Sequence, residues 1–334
     1  MSDTFRAFVV RKTADSAESG AVERVAPSAL PPGEVLIRVQ WSSLNYKDAL
    51  SATGHLGVSK NFPHVPGIDA AGTVVQSSVE RFQMGQEVLV TGFEFGASRW
   101  GGYAELARAK AEWIVSLPAG LSARESMIYG TAGFTAAMSL EALERHEVRP
   151  DAGPVLVTGA SGGVGTIAVA LLAKTGYEVE AATGKQSAHQ LLMQLGAKRI
   201  LSREDVNDRS PRPLLSARWA GAIDTVGGPI LATVLRSIRP GGCVTACGLT
   251  AGTDLPTTVY PFILRGVQLV GIESANYPMP PRIALWSKLA GSWKPDDLEQ
   301  FVCETVTLEK LDPPIQAILN GQVTGRVLVT TEGL

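Results

Sequence analysis

The run Val155-Leu156-Val157-Thr158-Gly159-Ala160-Ser161-Gly162-Gly163-Val164-Gly165 places glycines at 159, 162 and 165, between a short apolar stretch and a helical segment, Thr166 to Lys174, that stops at Gly176. A tight strand-to-helix turn needs positive φ. A phosphate drawn to the positive end of a helix needs bare backbone N–H groups that a Cβ would obstruct. Glycine meets both demands, and a second apolar stretch follows at the distance of a βαβ unit. The segment therefore reads as a dinucleotide-binding turn, the alternative being a turn of structural use only. The second strand of such a unit commonly ends in an acid that grips a ribose hydroxyl; here Thr183-Gly184-Lys185 stands in that place. A hydroxyl, an open backbone and a cation suit a 2′-phosphate, so NADPH is the expected cofactor. Arg203 is either a second cation for that phosphate or a solvated surface arginine. Glu180, three positions before Thr183, could bond the ribose if the strand ended earlier.

A second constellation is Asn45-Tyr46-Lys47-Asp48. An amide, a phenol and a carboxylate this close offer oxyanion donors and a proton path. Hydride addition to the β-carbon of a conjugated acceptor needs both, because it leaves an enolate that must be protonated. Tyr46, Asn45 and Asp48 are thus the candidate catalytic residues. The competing reading lets Tyr46 merely pack against a nicotinamide ring while Asn45 and Asp48 brace their loop. Thr135 either contacts the nicotinamide or packs within its helix.

No metal site is expected. A catalytic zinc needs three protein ligands, and His55, His64, His146 and His189 are scattered without ligand spacing; each reads as a polar surface or loop residue. Cys243 and Cys247 fall on an apparent buried strand and, with Cys303, are expected to be reduced thiols of no chemical use.

These groups need scaffolds, and 334 residues are enough for two domains. From Glu34 to about Leu117 short alternating stretches such as Val35, Ile37 and Val39 are broken by Pro31, Pro63, Pro66 and Gly92, which suggests a barrel-like β lobe. Ser122-Ala123-Arg124-Glu125 offers a helix N-cap with a carboxylate three residues on. Beyond it, Val155–Thr158, Val179–Thr183, Arg199–Ser202, Gly221–Asp224, Val244–Cys247 and Gln268–Ile272 alternate with helical text, the pattern of a doubly wound parallel sheet. An amphipathic helix around Arg282 to Ala290 and a last strand at Arg326 to Thr330 are expected to fold back onto the first lobe. Charged residues make up 19% of the chain and nearly balance at −2, so no basic stripe marks a nucleic-acid partner. Met1 to Val10 holds no apolar export signal and no run is long enough to span a bilayer, so a cytoplasmic location is expected.

The sequence resembles the zinc-free quinone-reductase division of the medium-chain dehydrogenases/reductases. More narrowly it is similar to the acrylyl-CoA reductase branch, through Ser43-Leu44-Asn45-Tyr46-Lys47-Asp48-Ala49-Leu50, Val65-Pro66-Gly67-Ile68-Asp69, Gly130-Thr131-Ala132-Gly133-Phe134-Thr135-Ala136 and Pro261-Phe262-Ile263-Leu264-Arg265-Gly266. The resemblance implies a GroES-like β-barrel catalytic domain (residues 1–125 and 272–334) around a Rossmann domain (126–271), and a homodimer formed through sheet edges. It implies NADPH contacts at Tyr46, Ser161, Gly162, Gly163, Val164, Thr183, Gly184, Lys185, Arg203, Leu249, Ile263, Ser274 and Asn320. Its expected reaction is reduction of a small enoyl-CoA, acrylyl-CoA to propionyl-CoA, with a quinone as the alternative acceptor and a non-catalytic NADPH sensor as an alternative of another class. Asn45 stands where zinc-dependent relatives carry a cysteine, and Ile68-Asp69 where they carry a His-Glu pair. Glu273 departs from the branch, where aspartate is expected. Arg99, Arg265, Arg282 and Arg326 are the candidates for gripping CoA phosphates.

Overall fold

The computed structural model describes residues 3–11 and 20–332; Met1 and Ser2, the start of the segment read for an export signal, lie outside the described residues. The chain divides into two units, Met1–Thr131 with Ala275–Ala290 and Asp297–Leu334, and Ala132–Ser274 with Gly291–Asp296.

The first unit opens with β1 (Phe5–Val9) and β2 (Ala21–Val25), then β3 (Val35–Leu44), α1 (Tyr46–Ala52), β4 (Asp69–Ser77), β5 (Glu87–Thr91), β6 (Leu106–Ala109) and β7 (Ile114–Ser116). Val35, Ile37 and Val39 pack into one core with Val74, Val88, Val90 and Ile114, as their alternation requires. Next comes α2 (Ala123–Arg145), opened by the anticipated capping box. Ser122 N donates to Glu125 Oε2 at 2.9 Å and Glu125 N to Ser122 Oγ at 3.2 Å. This helix is broken at Gly130, whose φ of 50° and ψ of −154° are open to glycine but strained for any side chain. The division between units falls inside α2, just after that kink, rather than near its N-cap.

The second unit holds β8 (Val155–Thr158), α3 (Gly163–Lys174), β9 (Val179–Ala182), α4 (His189–Gln194), β10 (Arg199–Leu201), β11 (Trp219–Asp224), α5 (Gly228–Ser237), β12 (Ile238–Ala246), α6 (Tyr260–Arg265) and β13 (Gln268–Gly271). Among the described residues its six strands pair in the order β10-β9-β8-β11-β12-β13, all parallel. This is the doubly wound sheet, with the order reversing between β8 and β11. β12 begins earlier than the Val244–Cys247 stretch expected of it, since Ile238 to Cys243, with Pro240-Gly241-Gly242, lie within it, and its register against β11 shifts between Trp219 and Gly221. Cys243 is buried on this strand and Cys247 half-buried just after it; burial pushes both thiols up to about 12, so neither is a nucleophile at neutral pH.

After α7 (Met279–Ala290), β14 (Val302–Thr307) and α8 (Asp312–Leu319), the last strand β15 (Arg326–Thr330) pairs antiparallel with β3. The return of the C-terminal segment to the first lobe follows from this ladder. The sheet runs β14-β15-β3-β4-β5-β7, with β6 also pairing β3. Among the described residues no helix is long and apolar enough to cross a membrane.

Candidate functional site

In the second unit, the phosphate-binding turn has the required backbone. Gly159 sits at φ 58°, and a Cβ on Gly165 would lie 2.4 Å from Gly159 O, so the helix reaches the turn only because Gly165 is bare. Gly162 is the N-cap of α3, and Gly163 and Val164 form its first turn with their N–H groups at the positive helix end. Next to this lies the end of β9. Thr183 Oγ1 donates to Ser161 Oγ at 3.0 Å, and Lys185 N donates to Thr183 Oγ1 at 3.1 Å, so the hydroxyl pair ties the two βα loops together. A Cβ on Gly184 would meet Arg203 Nε at 2.6 Å; the Arg203 side chain therefore lies against the bare Gly184 backbone. Thr183, Gly184, Lys185, Arg203 and Ser161 are thus gathered in one place, with Arg203 exposed. Residues of this kind fit the 2′-phosphate and pyrophosphate of NADPH: bare glycines on a helix N-terminus, hydroxyls, and a cation where an acid would repel.

Glu180 does not compete for a ribose. It lies mid-strand, where its Oε2 accepts from Trp219 Nε1 at 2.8 Å, and Arg199 and Arg218 stand 3.8 Å from its carboxylate. Beneath the turn, buried Asp224 accepts from Thr158 Oγ1 at 2.7 Å and Gly227 N at 2.7 Å; burial raises its pKa. Leu249 and Ile263 are exposed apolar side chains of the same unit, 60% and 67% accessible. Thr135 is buried in α2, and Ser274, half-buried, ends the first segment of this unit.

In the first unit, Asn45 is the N-cap of α1 and Tyr46 its first residue. Their environments differ sharply: Tyr46 is 43% accessible, Asn45 and Asp48 are buried. Asp48 Oδ2 accepts from Asn45 N at 2.9 Å and Nδ2 at 3.0 Å, while Oδ1 accepts from Gly67 N at 3.1 Å and Ile68 N at 2.7 Å. Asn45 Nδ2 gives its other proton to Asp69 Oδ2 at 2.7 Å. Asp69 also accepts from Ser43 Oγ, Thr131 N and Thr131 Oγ1 at 2.6, 2.9 and 2.6 Å. Arg326 completes the group, donating from Nη1 to Asn45 Oδ1 at 3.2 Å and from Nε to Ile128 O at 3.0 Å. Burial, then the neighbouring Asp69 carboxylate, pushes Asp48 up to about 7 against the pull of its N–H donors. Burial likewise raises the Tyr103 phenol, whose Oη reaches Ser43 O at 3.3 Å.

The expectation that Asn45 donates to an oxyanion and Asp48 leads a proton path does not fit this geometry. Both Asn45 amide protons are already given to carboxylates and Asp48 has no accessible surface, so the bracing alternative describes them. Of the three candidates only Tyr46 presents its side chain to solvent. Asp69, Ser43 and Thr131 were missed as site residues, because nothing local in the sequence says that positions 45, 69, 131 and 326 meet.

The candidates for CoA phosphates are also corrected. Arg326 is buried in the cluster just described. Arg282, equally buried, spends its guanidinium on Thr91 O, Tyr277 O and Ala275 O at 2.9, 3.2 and 3.1 Å and lies over the Phe93 ring. Arg265 donates to Arg236 O, Ile238 O and Leu215 O, and Arg99 to Pro32 O. His64 is buried rather than superficial, with Nε2 3.0 Å from Gly96 O. Asn320 caps the C-terminus of α8 and donates to Gln316 O at 2.9 Å. Among the described residues no three His, Cys, Asp or Glu side chains converge as metal ligands would.

Residues 31–119 match the alcohol dehydrogenase GroES-like domain family and residues 163–287 the zinc-binding dehydrogenase family. Acrylyl-CoA reductase AcuI of Ruegeria pomeroyi is 46% identical over 97% of this chain and 98% of its own length. The chain is a medium-chain dehydrogenase/reductase. It also matches YhfP of Bacillus subtilis strain 168, a provisionally named quinone oxidoreductase, at 47% identity over 98% of this chain and 99% of that one. The crystal structure of YhfP with NAD bound superposes with a TM-score of 0.96 over 98% of this chain and 100% of that one, at 46% identity. The yhdH oxidoreductase of Salmonella enterica, crystallised with NADP, gives 0.94 over 98% and 100% at 49% identity.

Proposed function

We propose that this dehydrogenase/reductase uses NADPH to reduce the activated double bond of a small enoyl thioester, acrylyl-CoA to propionyl-CoA. The observation that carries the cofactor choice is Arg203 lying on bare Gly184 beside Thr183 and Lys185, with Glu180 held by Trp219. The names of its close relatives support the acceptor. NADPH, when bound, supplies the hydride. The chain's own part is to hold the phosphates on the Ser161–Val164 turn and the Thr183–Lys185 loop, with Leu249, Ile263, Ser274, Thr135 and Asn320 as further contacts. Hydride arriving at the β-carbon of the acceptor leaves charge on the thioester oxygen, and Tyr46 is the exposed phenol that can donate to that oxygen or protonate the α-carbon.

A small quinone is the second acceptor class. The commitment of Arg265, Arg282 and Arg326 to internal partners favours it, because none of these three has been kept for a CoA phosphate. Steady-state rates with saturating NADPH, acrylyl-CoA against simple quinones, decide between the two. A kcat/KM for quinones far above that for the thioester moves the assignment, and tight NADPH binding without turnover of either supports a sensor.

The same reading makes the protein a metal-independent, cytoplasmic homodimer. Elemental analysis should find no stoichiometric zinc, and chelators should leave turnover intact. Exposed Leu269 on edge strand β13, together with exposed Val259, Tyr260, Ile263 and Leu264, supports pairing through that sheet edge.

A further inference from the structure

Asn45 is held from both ends. A guanidinium can only donate, so the contact with Arg326 identifies the amide oxygen and turns Nδ2 toward Asp69. Its backbone N–H is held as well, by Asp48. The next residue along the chain is Tyr46, so the start of α1 cannot rotate without breaking contacts to buried charges. Asp69 is the hub of this arrangement: its carboxylate collects four donors from β3, the N-cap of α1 and the kink of α2.

Room for the hub exists because Gly130 is bare. A Cβ there would fall 2.5 Å from Asp69 Oδ2, 2.6 Å from Ser43 Oγ and 2.9 Å from Arg326 Nη2. The Asp69 and Asp48 carboxyls and the Arg326 guanidinium, all buried, form a costly way to fill a protein interior, since apolar residues would pack there without desolvating polar groups. What such a group supplies is a single geometry, because a rearrangement leaves a buried polar or charged group without its partner.

We propose that Asp69 and Arg326 are positioning residues for Tyr46, acting through the Asn45 amide to give its phenol one direction. The catalytic use of that direction rests on the reading of Tyr46 given above.

The test places 3-fluorotyrosine at position 46 of the full chain and records 19F NMR spectra with Asp69 intact, as Asp69→Asn and as Arg326→Gln. One narrow resonance is expected from the parent protein and broadened or multiple resonances from both variants. In parallel, kcat and KM are measured in a cycle with Tyr46→Phe. Asp69→Asn should lower kcat on the order of ten- to a hundred-fold, as small misplacements of a reacting group do. It should leave the NADPH dissociation constant within about twofold and add little once the phenol is gone. Where Asp69→Asn does not fold, Ser43→Ala and Thr131→Val each remove one hydroxyl donor to Asp69 and take its place in both measurements.

An unchanged fluorine spectrum, or a kcat loss equally large with and without the phenol, overturns the proposal. If Tyr46→Phe alone keeps the parental kcat while the spectra still change, the catalytic reading of Tyr46 fails and the positioning stands.

Discussion

Asp69 and Arg203 each stand at the centre of a functional cluster, but the clusters are built from different materials. Around Asp69 the parts are side chains from residues 43, 45, 48, 131 and 326, bonded to one another and, apart from the half-buried Thr131, shut away from water. Around Arg203 they are a glycine turn, a helix end and a short loop, contiguous within each βα unit, with Arg203 and Gly184 exposed, Lys185 half-buried and only the Ser161 and Thr183 hydroxyls buried. A site that must bind and release a charged ligand keeps its donors in water, where an unmet donor costs little. A group that must only stay in place can be dry, and there each unmet partner costs about 1–3 kcal/mol. The difference predicts that substitutions in the first cluster act on folding and geometry, and those in the second on affinity alone.

The largest effect is expected at Gly130. Alanine there would face both a backbone conformation reserved for glycine and contact with Asp69, and should cost roughly 3–5 kcal/mol of stability in denaturant unfolding. A loss below about 1 kcal/mol would mean the kink relaxes freely and that the Asp69 cluster is not a rigid object.

Next in size is the pH dependence that Asp48 imposes. Its folded-state pKa, about 7, lies above the ordinary 3.8 of an aspartate. The native protein therefore holds a proton that the unfolded chain has lost, and stability from this group falls as pH rises from about 4 to about 7, then levels. The full fall is roughly 4 kcal/mol at about 1.4 kcal/mol per tenfold change in proton affinity. Asp48→Asn cannot titrate, so the gap between variant and parent should shift in the variant's favour across that window. Parallel pH profiles for the two proteins would show that Asp48 stays ionised.

In the open cluster the effects are smaller and confined to the cofactor. Removing Lys185 or Arg203 as alanine should weaken NADPH binding by about ten- to a hundred-fold, the value of one charge-assisted contact of roughly 1.5–3 kcal/mol. NADH affinity and unfolding midpoint should move little. Equal losses for both cofactors would show that these cations do not read the 2′-phosphate. Smallest of all, Glu180→Gln should leave the ratio of NADPH to NADH affinity within about twofold, because its carboxylate faces Trp219 rather than a ribose. A larger change measured by titration would return Glu180 to the cofactor site.

How far the sequence could be read follows the same division. The glycine turn, the helix after it and the apolar runs around it are consecutive, and each works through backbone conformation or local periodicity, which residue type reports directly. The parallel sheet, the capping box at Ser122 and the absence of an acid after β9 were legible for that reason. Thr183, Lys185 and Arg203 could be nominated because a βα unit has a known length.

Only the tertiary structure decided what Asn45, Asp48, Asp69 and Arg326 do. Arg326 lies 281 positions from the amide it bonds, and an arginine destined for a buried carboxylate looks the same in a sequence as one destined for a phosphate in water. Arg282 and Arg265 were misjudged on the same ground, as was His64. Charge type is written in the chain, but burial and partner come from which segments the fold brings together, and for a titratable side chain those two settle whether it reacts, binds or braces.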